Sequence, residues 1–269
     1  MHDDRRMYMN LTGKSAFVSG STEGIGYAVA RALLAEGVDV TINGRDTARL
    51  DRAVESLQHH APDATVRGIV ADFAVATDVE LLLDRLGDVD ILVNNVGLFE
   101  LTPFTDISDD DWQRYFDVNV MSGVRLARRL MPGMLGRGWG RILFVSSESG
   151  VDVPADMIHY GTSKTAMLSL GNGLAKLTKG TAVTVNSVLG GPTYSDGVAR
   201  TVDALAAARS IPVDDLKSAI AISNTTSLLQ RFIEPAEIAN MVTFLASPVA
   251  SATNGAAVRV DGGVLPTLL

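Results

Sequence analysis

Tyr160 and Lys164, in the stretch YGTSK, stand four residues apart, and on a helix that spacing places a phenol and an ammonium on one face. Such a pair can move a proton. When a hydride arrives at a carbonyl carbon the oxygen becomes an alkoxide and must take a proton, which Tyr160 would supply. A free tyrosine has a pKa near 10, so the reverse reaction needs a neighbour that stabilises the phenolate. An ammonium about 4 Å away, at an effective dielectric near 20, supplies roughly 4 kcal/mol, or about three pKa units. Upstream, the apolar run RILFVS leads to Ser147, whose hydroxyl could hold a substrate oxygen against the phenol. Ser146 would point to the other side of a continuing strand. The plainer alternative is that both serines only bond backbone.

The elements that must position these groups begin with SAFVSGSTEGIG, Ser15 to Gly26, which reads as a short strand, a glycine-rich turn and the start of a helix. Gly20 permits the sharp turn, Gly24 lets backbone approach a pyrophosphate, and Gly26 lets the helix pack closely on the sheet. The helix N-terminus would face the phosphates. A nucleotide P-loop is excluded, because Tyr8 stands where the first glycine before Gly13, Lys14 and Ser15 should be. Further apolar runs near 38–42, 65–70, 90–93, 141–146, 182–189 and 256–260 alternate with helical patterns. That alternation predicts an α/β fold, a doubly wound parallel sheet with helices on both faces. Ligands in such folds lie beyond the carboxyl ends of the strands, where Gly20, Asp72, Gly97, Ser147 and Gly191 all fall.

From Leu11 to Gly263 the chain resembles the short-chain dehydrogenase/reductase family. The resemblance rests on SGSTEGIG, on Asp72 in VADF, on NNVG at 94 to 97 and on Asn119 in DVNV. It rests also on Ser147 thirteen residues before Tyr160, on YGTSK, and on NSVLGGPTYS from Asn186. Within that family the flavour is closest to 3-oxoacyl-carrier-protein reductase-like enzymes. The resemblance implies a seven-stranded Rossmann sheet in the order 3-2-1-4-5-6-7. It implies Ser147, Tyr160 and Lys164 as catalytic groups, with Asn119 opening a helix kink and holding water that links Lys164 to solvent. Asn119 could equally be a satisfied polar core residue. Cofactor contacts are implied for Gly20, Thr22, Glu23, Gly24, Ile25, Gly26, Asn43, Arg45, Asp72, Phe73, Asn95, Gly97, Tyr160, Lys164, Gly191, Thr193 and Ser195. Asp72 would bond the adenine ring, though it could instead cap a helix. Three departures are notable: Ser19 replaces threonine and keeps its hydroxyl, Val96 replaces alanine, and Gly190 replaces a proline, which would loosen the root of a substrate lid.

Cofactor choice turns on INGRD at the end of the second strand. No acid stands at Asn43 or Gly44 to grip a 2′-hydroxyl, and Arg45 suits a 2′-phosphate, so NADP(H) is favoured over NAD(H). Glu23 argues the other way, since relatives that use NADP commonly carry a basic residue there. Asp46 suits a helix cap.

With 269 residues, a formal charge of -8 and no cysteine, the composition fits one domain and excludes thiolate chemistry. The four histidines do not cluster, so no metal is expected, and the negative charge argues against nucleic acid. Arg125, Arg128, Arg129, Arg137 and Arg141 form a local basic stretch, read as a solvated face or as a docking patch for an acidic carrier protein. Residues 1–10 carry mixed charges, neither a signal peptide nor a membrane anchor, and are expected to be a disordered tail before a domain at 11–269. The cytoplasm is the expected compartment. A lid is expected at about 193–232, with Val151, Val153, Met157, Ile158, Val198 and Leu205 forming an apolar pocket and Glu148 and His159 as polar neighbours. Met167, Leu168, Leu170 and Leu174 suggest apolar surface for a homotetramer or dimer. The function expected is NAD(P)-dependent interconversion of a ketone and a secondary alcohol, by a carbonyl or 3-oxoacyl reductase. Its alternatives are a sugar, polyol or steroid dehydrogenase, a nucleotide-sugar epimerase, and a dinucleotide-binding redox sensor.

Overall fold

The computed structural model describes residues 8–268 of the chain. The apolar runs form β1 (Ser15–Val18), β2 (Asp39–Gly44), β3 (Val66–Val70), β4 (Ile91–Asn94), β5 (Trp139–Ser147), β6 (Ala182–Gly190) and β7 (Ala257–Val260). All neighbours pair in parallel, in the order β3-β2-β1-β4-β5-β6-β7. Between them run α1 (Gly24–Ala35), α2 (Thr47–His60), α3 (Ala76–Leu86), α4 (Asp109–Tyr115), α5 (Ser122–Arg137), α6 (Ile158–Lys176), α7 (Asp196–Arg209), α8 (Val213–Ser223) and α9 (Pro235–Ala246). Residues 1–7 of the expected tail lie outside the described residues, and Met9 packs against the core.

Side chains alternate along each strand, so a central strand feeds two cores. Leu143 and Val145 enter one, together with Val29 and Leu33 of α1 and Ile238 and Val242 of α9. Ile142 and Phe144 enter the other, with Leu82 of α3, Leu126 and Leu130 of α5 and Met167 of α6. Each such side chain, fully buried, contributes roughly 1.5–3 kcal/mol. Met167 is thus core, and Leu170 and Leu174, partly buried, pack against the same cluster.

Helix starts follow local chemistry. Asp46 caps α2 by accepting from the Arg49 amide at 2.7 Å. Ser108 and Asp111 form a capping box on α4. The register brings strand ends together, with Val18 opposite Ile42 and Val93, and Ser147 opposite Gly190. Gly190 pairs with Val260 as well, so the residue that replaces proline extends β6. A proline there could not donate to the ladder.

The basic stretch comes apart in three dimensions. Arg141 is 1 % exposed inside β5, donating to the carbonyls of Gly140, Ala182 and Ser247 and lying over the Trp139 ring. Burial brings its guanidinium down to about 10. Arg129 and Arg137 pair with Asp88, and Arg125 with Asp117. Arg141→Met removes the buried hydrogen bonds to the Gly140, Ala182 and Ser247 carbonyls and is expected to destabilise the chain by about 2–4 kcal/mol. A thermal melt within a degree of the parent would contradict this.

Candidate active site

At the exit of β1 the backbone is bent around glycines. Gly20 (φ +59°) and Gly24 (φ +62°) take left-handed conformations that a side chain would strain. A Cβ on Gly26 would collide with the Gly20 carbonyl and the Asn95 amide. Asn95 braces this loop, donating to the carbonyls of Ser19 at 3.0 Å and Gly20 at 2.8 Å. The Ser19 hydroxyl accepts from the amides of Asn95 and Val96, a task that needs only the hydroxyl kept from threonine. Val96 stands where a Cβ on Gly20 would touch it, so the glycine makes room for the larger residue.

No side chain of its own first turn caps α1. Its Gly24 amide instead donates to Asp196, at the start of α7, at 2.6 Å. The preceding Glu23 is gripped by Arg200 of α7 at 2.8 and 3.0 Å and by Arg49 of α2 at 3.4 Å. The Arg200 hydrogen bond, foremost, holds the Glu23 carboxyl below its usual range. Close-approach glycines and a helix N-terminus, its Gly24 amide already drawing a carboxylate, fit the pyrophosphate of a dinucleotide.

Across the sheet, α6 delivers Tyr160 and Lys164 one turn apart to the end of β5. Lys164 is 5 % exposed, and its ammonium donates to the Val145 carbonyl at 3.0 Å and lies 5.6 Å from the centre of the Tyr160 ring. Ser146 faces away and donates to the Lys164 carbonyl at 3.2 Å. Ser147 donates to Glu148 at 2.6 Å and accepts from the Ser149 amide at 3.1 Å. Asn119 lies in a π-helical segment, Phe116–Met121, between α4 and α5. It accepts from the Leu98 amide at 2.7 Å and donates to the Leu98 carbonyl and to Ser163 at 3.1 and 2.8 Å. A Cβ on Gly97 would stand 3.4 Å from the Lys164 ammonium and 3.5 Å from Asn119.

Burial dominates the ionisation here. It pushes the Tyr160 phenol up to about 12, with Ser147 acting downward and the Glu148 charge upward. It brings the Lys164 ammonium down to about 8, against the Glu148 charge. The expected lowering of the phenol by Lys164 is not seen; desolvation dominates and raises it. These groups border a cleft of ≈ 380 Å³ that also takes in Ile25, Leu98, Phe99, Met157, Pro192 and Phe232.

Several expected contacts are placed differently. Asn43 is buried, its side chain accepting from the Gly20 amide and donating to the carbonyls of Ile69 and Ala71, so it ties strand ends together. Phe73 is a core residue, 2 % exposed. Asp72 accepts from the Ala74 amide at 2.9 Å in a local turn. Gly191 is required because a Cβ would strike the Asp261 backbone. Thr193 donates to the Gly191 carbonyl, and Thr193 and Ser195 line the cleft. Thr22 rests against Gly44, and Arg45 is exposed just past β2.

Of the expected pocket residues Met157 and Val198 line the cleft, whereas Val151 and Val153 face solvent and Leu205 packs between α7 and α8. His159 is buried against Tyr115, with ring centres 4.0 Å apart, on the side of α6 away from the cleft. Sequence reasoning missed Phe99, whose ring meets Tyr160 at 6.3 Å, and the partners Arg49, Asp196 and Arg200. Their only signal was an acid at Glu23 that needed neutralising. Among the described residues no group of His, Asp and Glu could hold a metal, and no helix is long and apolar enough to cross a membrane.

Residues 14–205 match the short chain dehydrogenase family. The chain is 44 % identical over 266 residues to an oxidoreductase of Bacillus subtilis, YvrD, covering 97 % of this chain and 100 % of the relative. It is 31 % identical over 257 residues to a D-beta-hydroxybutyrate dehydrogenase of Cupriavidus necator, covering 94 % and 98 %. Its structure is similar to that of L-sorbose reductase from Gluconobacter frateurii complexed with NADPH and L-sorbose. That match has a TM-score of 0.92 and 31 % identity over 97 % of this chain and 100 % of that one. The chain belongs to the short-chain dehydrogenase/reductase family, and is an NAD(P)-dependent oxidoreductase.

The buried ammonium makes a stability prediction. Lys164 has its pKa brought from 10.5 down to about 8, so between those values the unfolded chain binds more protons than the native state. Native stability from this group is then fully present above 10.5 and is lost as pH falls towards 8. Relative to Lys164→Met, the parent should gain up to about 3 kcal/mol from pH 8 to 10.5. Melts whose difference stays flat across that window would contradict the assignment.

Proposed function

We propose that the chain interconverts a small neutral ketone and its secondary alcohol with NADP(H), with Tyr160 as the acid and base. The observation that carries this reading is the meeting of Ser147, Tyr160 and Lys164 on one wall of a largely apolar cleft, beside the glycine at 97. When bound, the nicotinamide supplies or accepts the hydride. Tyr160 gives its proton to the developing alkoxide, and Ser147 holds the oxygen. A phenol raised to about 12 is protonated throughout the neutral range, the state that reduction consumes. Asn119 fixes Leu98 and, through Ser163, the first turn of α6.

The phosphate preference is a matter of charge pairing. Glu23 stood against NADP, but its carboxylate is matched by Arg200 and Arg49, and Arg45 is exposed beside the end of β2. Helices α7 and α8 act as the lid, joined to the glycine loop by Asp196 and Arg200. Exposed ion pairs of this kind hold by about 0–1 kcal/mol each, so the lid can open. A 3-oxoacyl thioester on a carrier protein is less well served, because of the arginines expected to dock it Arg125, Arg129 and Arg137 are paired and Arg141 is buried, leaving Arg128 exposed. A hydroxylated ketone agrees with the likeness to L-sorbose reductase.

Two measurements test this. NADPH and NADH consumption is followed with ketones, keto sugars and 3-oxoacyl thioesters; Tyr160→Phe should retain NADPH binding and lose at least about 100-fold in turnover. Near-normal activity in that variant would remove Tyr160 from the mechanism. Separately, Arg45→Ala should weaken NADPH roughly tenfold, the scale of one charge-assisted hydrogen bond, and leave NADH within about twofold. Equal weakening of both would place Arg45 elsewhere than at the 2′-phosphate.

A further inference from the structure

Ser147 has a single hydroxyl proton, and Glu148 holds it. The hydrogen bond to the carboxylate is 2.6 Å long, in the range of a charge-assisted contact, and the serine oxygen also accepts from the Ser149 amide at 3.1 Å. The other Glu148 oxygen accepts from the Ser149 hydroxyl at 3.4 Å, which fixes the carboxylate in place. A serine that donates to an ionised Glu148 has no proton left for a ketone oxygen and presents only lone pairs to it. A protonated Glu148 reverses the bond: the acid O–H donates to the serine oxygen, and the serine proton turns to the substrate.

We propose that Glu148 is a positioning residue whose protonation decides whether Ser147 donates to the substrate oxygen. The proposal rests on the reading of Ser147 as the group that holds that oxygen. No proton is transferred from Glu148 in the reaction: the carbonyl carbon takes the hydride, the oxygen takes the Tyr160 proton, and the Ser147 proton stays on serine. Reduction is thus favoured by protonated Glu148 and fades as pH rises through its titration. Burial, foremost, lifts the Glu148 carboxyl above the usual carboxylate range, with the bonds from Ser147 and Ser149 opposing. The titratable groups that face it are Tyr160 and Lys164 of α6; the other side chains lining the cleft carry no charge.

The test is the pH profile of kcat/KM for ketone reduction by the parent, Glu148→Gln, Glu148→Ala and Ser147→Ala, with NADPH binding followed in parallel. The parent should show a limb falling about tenfold per pH unit that is not accounted for by Tyr160 or Lys164. Glu148→Gln should lose that limb, since its amide N–H donates to Ser147 at every pH. Glu148→Ala, which removes the competing acceptor, should lose it as well and stands in if the glutamine variant does not fold. A parent without the limb overturns the proposal, as does a limb that survives in either variant. So does a uniform loss in Glu148→Gln equal to that of Ser147→Ala with the profile shape unchanged. If reduction is Tyr160-dependent and the limb ignores position 148, this inference alone fails. If no ketone is reduced, or Tyr160→Phe is fully active, the functional reading falls and takes the inference with it.

Discussion

A cation is buried where α6 crosses the end of β5, and the surrounding structure is arranged to tolerate it. An unpaired ammonium in a low-dielectric interior is costly, so Lys164 must find acceptors and neighbours that admit it closely. The Val145 carbonyl takes the proton end, and Ser146 ties the Lys164 backbone to the strand. Two glycines give the space: a Cβ on Gly150 would stand 2.9 Å from the Lys164 backbone, and one on Gly97 would crowd the ammonium itself. These contacts come from β5, α6 and the segments that follow β4 and β5, so the parallel register that aligns strand ends is what makes the ammonium's place possible.

The cofactor side depends on the same alignment. Asn43 at the end of β2 and Asn95 after β4 both reach the glycine loop leaving β1 from opposite flanks, one accepting from the Gly20 amide and the other donating to its carbonyl. Buried amides satisfied in this way rigidify what they touch. The loop then offers preset backbone, and α7 is attached to it through exposed charges. On the proposed reading of α7 and α8 as a lid, rigid amides and weakly held charges divide the tasks of positioning and admission.

Local rules account for what was legible in the sequence. Strands could be read from apolar runs, and their order from a resemblance that covers nearly the whole chain. Tyr160 and Lys164 could be paired because helical spacing is a local rule, and Asp46 could be read as a cap for the same reason. Pairings across long separations were not legible. Glu23 and Arg200 are 177 positions apart, and nothing near either names the other. Arg141 looked like surface because arginine usually is; its burial depends on the carbonyls of Ala182 and Ser247 converging on one spot. Asn43 and Phe73 sit in the expected places along the chain, yet their side chains turn inward, a matter of strand phase at the last residue.

Burial acts on the catalytic pair in a way that the residues singly would not suggest. Desolvation raises the phenol and lowers the ammonium, so it opposes phenolate and ammonium alike when each is alone. In the proposed reaction, a proton leaving Tyr160 for a substrate oxygen creates the phenolate beside the ammonium, and the low dielectric that penalised each charge strengthens their attraction. The interaction is strongest only once the proton has begun to move, which is the condition for lowering a barrier instead of merely binding the reactant. On that proposal Lys164 need not depress the resting phenol to serve the reaction; it has to be present, charged and close when the proton departs.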